Sequence, residues 1–102
     1  MWAQLIKVHA KPGADVLSLF AQLRAIERPG SGLLRTMVMR DEEDPNAYYT
    51  LVVFESAEQA RAREQDPGRM DALRPIQEAM AGMLDGPREF VNLAVIEDTA
   101  TG

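Results

Sequence analysis

The apolar positions of the chain change their spacing several times, and each change marks a boundary between predicted elements. Four segments are rich in branched and aromatic residues at alternating positions. This pattern predicts strands, because every second side chain of a strand lies on the same face. The predicted strands cover residues 2–10, 33–40, 48–54 and 89–97.

Two longer segments carry apolar residues three and four positions apart, which is typical of amphipathic helices. The first predicted helix covers residues 14–27 and ends before the Pro29-Gly30 pair. The second begins at Ser56, where Gln59 completes the pattern of a capping box. It is interrupted near residue 67, and its apolar stripe then continues with Leu73, Ile76, Met80 and Met83.

The predicted order is strand, helix, strand, strand, helix, strand. That order predicts an α+β, ferredoxin-like β-α-β-β-α-β fold, in which two helices cover one face of a four-stranded antiparallel sheet. We expect residues 1–97 to form a single domain and residues 98–102 to be a flexible C-terminal tail. The opposite face would leave Leu5 and Leu51 in water, so we expect a homodimer in which a second copy covers that face.

Composition narrows the possible chemistry. The 102 residues include no cysteine and a single histidine, His9, so disulfides, thiolate catalysis and a multi-histidine metal site within one chain are excluded. A net charge of −5 with scattered basic residues argues against nucleic acid as a partner. There is no apolar run of membrane-spanning length and no signal-peptide pattern. We therefore expect a cytoplasmic protein with no metal and no membrane association.

The segment between the second and third predicted strands, Asp41 to Asn46, is acidic. A calcium site is one interpretation, but the segment lacks the ligand spacing and the glycine of a calcium loop. A solvated turn joining two strands of a hairpin is favoured.

Several short motifs, in this order along the chain, resemble the antibiotic biosynthesis monooxygenase superfamily, and the resemblance runs from about Gln4 to Glu97. The motifs are Lys11-Pro12-Gly13, Pro29-Gly30, the acidic turn from Arg40 to Pro45, the segment from Phe54 to Ala60, and Gly86-Pro87. The resemblance implies a dimeric α/β barrel with a small pocket between helices and sheet. Some members oxidise polyketide-derived aromatic compounds with molecular oxygen, without metal or flavin, and others degrade haem.

The functional residues of these oxygenases carry over in part. Their strand-three Asn and Trp fall at Thr50 and Phe54, their helix-two Tyr falls at or next to Ala60, and an Arg later in that helix matches Arg74. In the haem-degrading branch the axial His falls near Leu73, which leaves haem iron without a protein ligand. We therefore expect no haem, no flavin and no other cofactor.

The candidate site residues are Arg74 and His9 for catalysis, and Tyr48, Thr50, Phe54 and Asn92 for substrate binding. His9 is a possible general base, as histidine often is in proteins, yet its alternation with Lys7 directs it toward a partner subunit or solvent. Arg74 either points into the pocket toward Thr50 and Phe54 or pairs with a nearby acid on its own helix.

These patterns favour a cofactor-independent monooxygenase-like protein that acts on a small apolar, aromatic compound. The alternative is a non-catalytic dimeric module of the same fold that binds a small ligand or a protein partner. The replacement of three of the four polar oxygenase residues favours the alternative.

Overall fold

The computed structural model describes residues 1–101, and its elements follow the predicted order with one difference. The predicted second helix is two helices, which meet at Asp66. The elements are β1 (Trp2–His9), α1 (Val16–Ala25), β2 (Leu33–Arg40), β3 (Ala47–Phe54), α2 (Ala57–Gln65), α3 (Pro67–Met83) and β4 (Glu89–Ala94).

The four strands form one antiparallel sheet in the order β2-β3-β1-β4. This arrangement confirms the predicted α+β, ferredoxin-like fold, because the two central strands β1 and β3 are the first and third along the chain. β1 and β4 are shorter than predicted. Ala10 makes only an isolated bridge to Leu84, and β4 ends at Ala94 instead of continuing to residue 97.

Each helix begins at a side chain that caps it. Asp15 accepts a hydrogen bond from the Ser18 amide at 3.1 Å, and Ser56 accepts one from the Gln59 amide at 3.1 Å. Asp66 ends α2 and also caps α3, because its carboxylate accepts the Gly68 amide at 3.1 Å. Such caps satisfy amides that have no partner inside the helix. Within residues 1–101, no helix is long and apolar enough to cross a bilayer.

The acidic turn holds itself together through its own carboxylates. Asp41 accepts hydrogen bonds from the amides of Glu43 and Asp44, at 2.9 and 3.3 Å, and Asp44 accepts one from Asn46 at 3.0 Å. The hydrogen bonds from the Glu43 and Asp44 amides hold the pKa of Asp41 below its usual value. The turn is thus built from side-chain-to-backbone hydrogen bonds, as the favoured interpretation expects.

The tightly packed core lies at one end of the sheet. Ala10, Val16 and Phe20 form its buried cluster, and Leu23 and Tyr48 pack against it. At the other end of the sheet Ala3, Phe54 and Ala60 are also buried. The radius of gyration of 14.3 Å exceeds the value of about 13 Å expected for this length. The space between helices and sheet is a cavity.

Candidate ligand-binding cavity

A cavity of about 1050 Å³ lies between the sheet and the helices. The even-numbered residues of the strands form its floor, since alternate strand residues share a face. Ile6, Thr50 and Val52 are on this floor, and Leu73 and Met80 of α3 lie opposite. Most of the lining is therefore apolar, with a few polar side chains set into it, as in pockets that bind small molecules.

Two aromatic rings stand side by side in the wall. The ring centroids of Trp2 and Phe54 are 6.1 Å apart, with an angle of 50° between the planes. Phe54 is only 2 % exposed, so its ring is fixed in place. A third ring, Phe90 of β4, is half exposed, with the Arg88 guanidinium 5.2 Å from its centroid. Tilted rings at such distances interact favourably, and of the three rings Trp2 and Phe90 have surface left to contact an aromatic ligand.

Three of the predicted site residues line this cavity: Thr50, Phe54 and Arg74. Thr50 and Phe54 are on the floor, four residues apart on β3. Arg74 lies at the rim, where 70 % of its side chain is exposed and its Nη2 donates to Asp71 Oδ1 at 3.2 Å. The guanidinium is therefore paired on its own helix, the arrangement that the sequence left open as the alternative for this residue.

Tyr48 and Asn92 share the cavity face of the sheet but are not part of the lining. Tyr48 packs against Phe20 in the core, with ring centroids 6.2 Å apart. The Asn92 amide oxygen accepts a hydrogen bond from Gln4 Nε2 at 3.0 Å, across the pairing of β1 and β4. Asn92 is thus linked to the cavity through Gln4, which does line it.

His9 lies on the other face of the sheet. Its Nε2 is 3.6 Å from the Asp44 carboxylate, and 43 % of its side chain is exposed. The structure of the single chain does not bring His9 together with Arg74. Among residues 1–101, no three His, Cys, Asp or Glu side chains are grouped as they would be to hold a metal ion.

A group of charged side chains that the sequence patterns did not reveal lies in the cavity wall, and we call it the Glu27 triad: Glu27, Arg63 and Arg69. Arg63 donates from Nε and Nη2 to the two Glu27 oxygens at 3.0 and 2.6 Å, and Arg69 Nη1 donates to Glu27 Oε2 at 3.3 Å. The side chains of the two arginines are 16 % and 13 % exposed. The Arg63 guanidinium also lies 5.2 Å from the centroid of the Phe54 ring.

The triad changes the titration of its members. Burial raises the pKa of Glu27, but the hydrogen bonds and charge of Arg63, with help from Ser31 and Arg69, outweigh burial and hold the pKa below its usual value. Burial and the neighbouring charge of Arg63 lower the pKa of Arg69. At neutral pH the triad therefore contains one anion and two cations.

One sequence signal did point to the triad. Glu27 follows the last residues of α1. Because the dipole at the C-terminus of a helix disfavours a carboxylate, a cationic side chain close to Glu27 is expected to stabilise it. Its partners were hidden because Arg63 and Arg69 lie on different helices, on either side of the interruption at Asp66.

A glycine brings the start of β2 close to α2. Gly32 has a φ of +83°, and a Cβ there would lie 2.8 Å from the Gln59 side chain. The Gly32 carbonyl accepts the Glu55 amide at 2.9 Å. The positive φ and this close approach favour glycine at position 32, where the chain passes beside the first turn of α2.

The comparisons with known proteins agree with this geometry. The family model for antibiotic biosynthesis monooxygenases matches residues 1–82. The chain belongs to the antibiotic biosynthesis monooxygenase family. No curated protein matches this family member by sequence.

Solved structures of similar proteins cover nearly the whole chain. A candidate antibiotic biosynthesis monooxygenase from Chloroflexus aurantiacus is 28 % identical, with a TM-score of 0.68 and full coverage of both chains. One from Deinococcus radiodurans is 13 % identical, with a TM-score of 0.74 and coverage of 100 % of this chain and 99 % of that one. A mutant of SnoaB, a cofactor-independent oxygenase from Streptomyces nogalater, is 19 % identical, with a TM-score of 0.71 and 95 % coverage of each chain. At these identities the last two likenesses concern the fold alone.

Proposed function

We propose that this chain is a cofactor-independent monooxygenase-like protein that binds a small, mostly apolar, aromatic compound of the polyketide type. The observation that carries the proposal is the cavity of about 1050 Å³ with the Trp2–Phe54 pair in its wall, in a member of this family. Its volume suits a compound of several fused rings, since small-molecule pockets commonly enclose about 300–1,000 Å³. We also propose that the protein works as a cytoplasmic homodimer.

The reaction would use the electrons of the substrate itself. A CH2 group between an aromatic ring and a conjugated carbonyl loses a proton, and the resulting carbanion reduces dioxygen and forms a C–O bond. The O–O bond then breaks, so that CH2 and O2 become C=O and H2O without an external reductant. In such a reaction the protein orients the substrate and excludes water.

The cavity offers few groups for this chemistry, and their roles are limited. Thr50 has a hydroxyl that can hydrogen-bond to a ligand oxygen, and Phe54 supplies a flat wall. Glu27 is a weak base because both of its oxygens already accept hydrogen bonds from arginines. A substrate that ionises readily, such as a phenol or an acidic CH2 compound, is therefore the appropriate class.

A second candidate function is non-catalytic binding of a small ligand, or interaction with a protein partner, by the same fold. The observation that favours it is Arg74, which is paired with Asp71 and largely in water. Thr50, Phe54 and Ala60 stand where the oxygenases carry Asn, Trp and Tyr, so Arg74 was the one polar oxygenase residue retained.

Oxidation of anthrone to anthraquinone tests the two candidates. We expect purified protein in excess chelator, without added flavin or haem, to consume one O2 for each anthraquinone formed, above the uncatalysed rate. Thr50→Trp places a bulky ring on the floor of the cavity and should lower the excess rate, whereas Ala62→Trp, at an exposed position of α2, should retain it. An oxygen electrode and chromatography of the product give both quantities.

The absence of any excess rate with the wild-type protein would favour the non-catalytic function. A rate that disappears with the chelator, or that requires added flavin or iron, would contradict the cofactor-independent proposal.

A further inference from the structure

The cavity is positively charged inside an acidic protein. The whole chain has a net charge of −5, with sixteen acidic and eleven basic residues. Around the cavity the balance is reversed, because arginines outnumber acids. The charged residues that line it are Arg24, Arg63, Arg69, Arg74, Arg88, Glu27 and Glu64.

The buried part of this charge is in the Glu27 triad. One carboxylate accepts hydrogen bonds from two guanidinium groups, so the triad itself has a net charge of +1. Two other acids lie near Arg69. Glu64 is exposed to water, and the Asp66 carboxylate caps α3. A partly buried cation without a full partner is costly, and an anion brought next to it recovers that cost.

The triad and the aromatic wall are adjacent. The Arg63 guanidinium lies 5.2 Å from the Phe54 ring centroid, and Phe54 contacts Trp2. A ligand whose rings lie along Trp2 and Phe54 would therefore place a substituent on the same side as Arg63 and Arg69. The planar guanidinium group of arginine can donate two parallel hydrogen bonds to a carboxylate. It can also donate a short, charge-assisted hydrogen bond to a phenolate.

We propose that the cavity selects an anionic ligand: an apolar aromatic compound bearing a carboxylate or an ionised phenol, whose charged group contacts Arg63 and Arg69. The proposal rests on the binding cavity of the proposed function and names its ligand class. It also assigns a role to Glu27, which is the internal anion that a bound carboxylate partly replaces.

The triad also has a purely structural role, since it joins the end of α1 to α2 and α3. A structural role alone affects all ligands equally through the shape of the cavity. Preference for a charged ligand over a neutral one of the same shape depends on the positive charge. The ratio of two dissociation constants therefore separates the roles.

Phenylbutanoate and phenylbutanamide are suitable probes, because they share their shape and differ in charge. Trp2 is the single tryptophan and lines the cavity, so its emission reports binding of either probe. We expect the wild-type protein to bind the carboxylate about tenfold more tightly, which corresponds to about 1.4 kcal/mol. Added salt should weaken binding of the carboxylate and leave the amide unchanged.

Variants should change this ratio in opposite directions. Arg69→Gln should bring it close to one without weakening the amide, and Glu27→Gln should raise it, because Arg63 and Arg69 lose their internal anion. Arg61→Gln removes an exposed arginine of α2 that is outside the lining and should leave the ratio as in the wild type. Circular dichroism checks that each variant is folded.

Equal wild-type affinity for the two probes overturns the anionic ligand class while leaving the apolar cavity of the proposed function intact. An unchanged ratio in folded Arg69→Gln also overturns it. If Arg69→Gln does not fold, the wild-type ratio and its salt dependence decide the question. Failure of both probes to bind overturns the binding cavity itself, and with it this proposal.

Discussion

The two faces of the sheet are made by the same four strands, yet their composition differs. Adjacent residues of β3 illustrate the difference, because Leu51 points to the outer face and Thr50 to the cavity. In register across β2, β3, β1 and β4, the outer row is Met37, Leu51, Leu5 and Val91, and the neighbouring cavity row is Val38, Thr50, Ile6 and Phe90.

Because successive side chains of a strand point to opposite faces, one sheet can have two surfaces of different composition. The outer row is entirely apolar, and no helix or strand within residues 1–101 packs over it. Val91 is 49 % exposed, and Leu93, in the next row, is 39 % exposed. The cavity face contains polar exceptions such as Thr50 and Gln4, although helices cover it. Apolar residues left uncovered favour assembly, and polar residues placed under a cover favour recognition.

The largest effect should come from a charge on the outer face. If two sheets meet face to face, Leu51→Asp places a charge with no partner in a dry interface and should convert the dimer into a poorly folded monomer. Light scattering at micromolar concentration measures the mass against the 11.3 kDa of one chain.

Thr50→Asp is the matched control, since it introduces the same charge one residue away on the other face. We expect this variant to remain dimeric and to lose affinity for phenylbutanoate, because the new carboxylate lies in the cavity. A wild-type protein that is monomeric, or a Leu51→Asp variant that is still dimeric, would contradict the interface.

A medium effect is expected for the pH dependence of stability. The pKa of Glu27 is lowered on folding, so its ion pairs stabilise the protein above the usual carboxyl pKa of 4.5, and this contribution is lost as the pH falls through the lower folded value. Glu27→Gln should therefore be less stable than the wild type at neutral pH. The difference should lie between the roughly 0–1 kcal/mol of exposed pairs and the roughly 3–5 kcal/mol of fully buried ones.

Urea unfolding of both proteins at several pH values measures this effect. The gap between the two midpoints should shrink as the pH falls below the usual carboxyl range. A constant gap down to about pH 3 would show that Glu27 stabilises the protein by packing and not by its charge.

Most of the fold was predictable because each strand carries its own local pattern. The strand of residues 33–40 was predicted with the bounds it has, and the alternation of β1 correctly separated Ile6 and Val8 from His9. The interruption of the second helix was predicted near residue 67, but the role of Asp66 as the residue that ends α2 and caps α3 was not. The apolar stripe continues beyond it, while the cap at Asp66 is a matter of hydrogen-bond geometry.

The site was less predictable, because it depends on contacts between distant residues. Strand alternation and the family resemblance predicted that Thr50 and Phe54 face the pocket, and both line the cavity. Glu27 and Arg63 are 36 positions apart, and Glu27 and Arg69 are 42 positions apart. Charged residues on helices are usually in water, so composition alone did not indicate that these three share a buried corner.

The smallest effect on binding is expected for a substitution of Arg74, whose contribution to ligand binding we compare with that of Arg69. Both arginines line the cavity, but the side chain of Arg74 is 70 % exposed and that of Arg69 is 13 % exposed. A guanidinium pointing into the pocket would contribute about 1.5–3 kcal/mol to binding, whereas an exposed pair contributes about 0–1 kcal/mol. We therefore expect Arg74→Ala to weaken phenylbutanoate binding by no more than about twofold and to leave the unfolding midpoint nearly unchanged.

The anthrone assay extends this test to catalysis. If ligand binding releases Arg74 from Asp71, the guanidinium could contact the reacting oxygen, and Arg74→Ala would then lower turnover at least tenfold while leaving binding of the probe intact. That result would establish Arg74 as a catalytic residue. Unchanged turnover would indicate that the substrate supplies the chemistry and that the cavity only orients it.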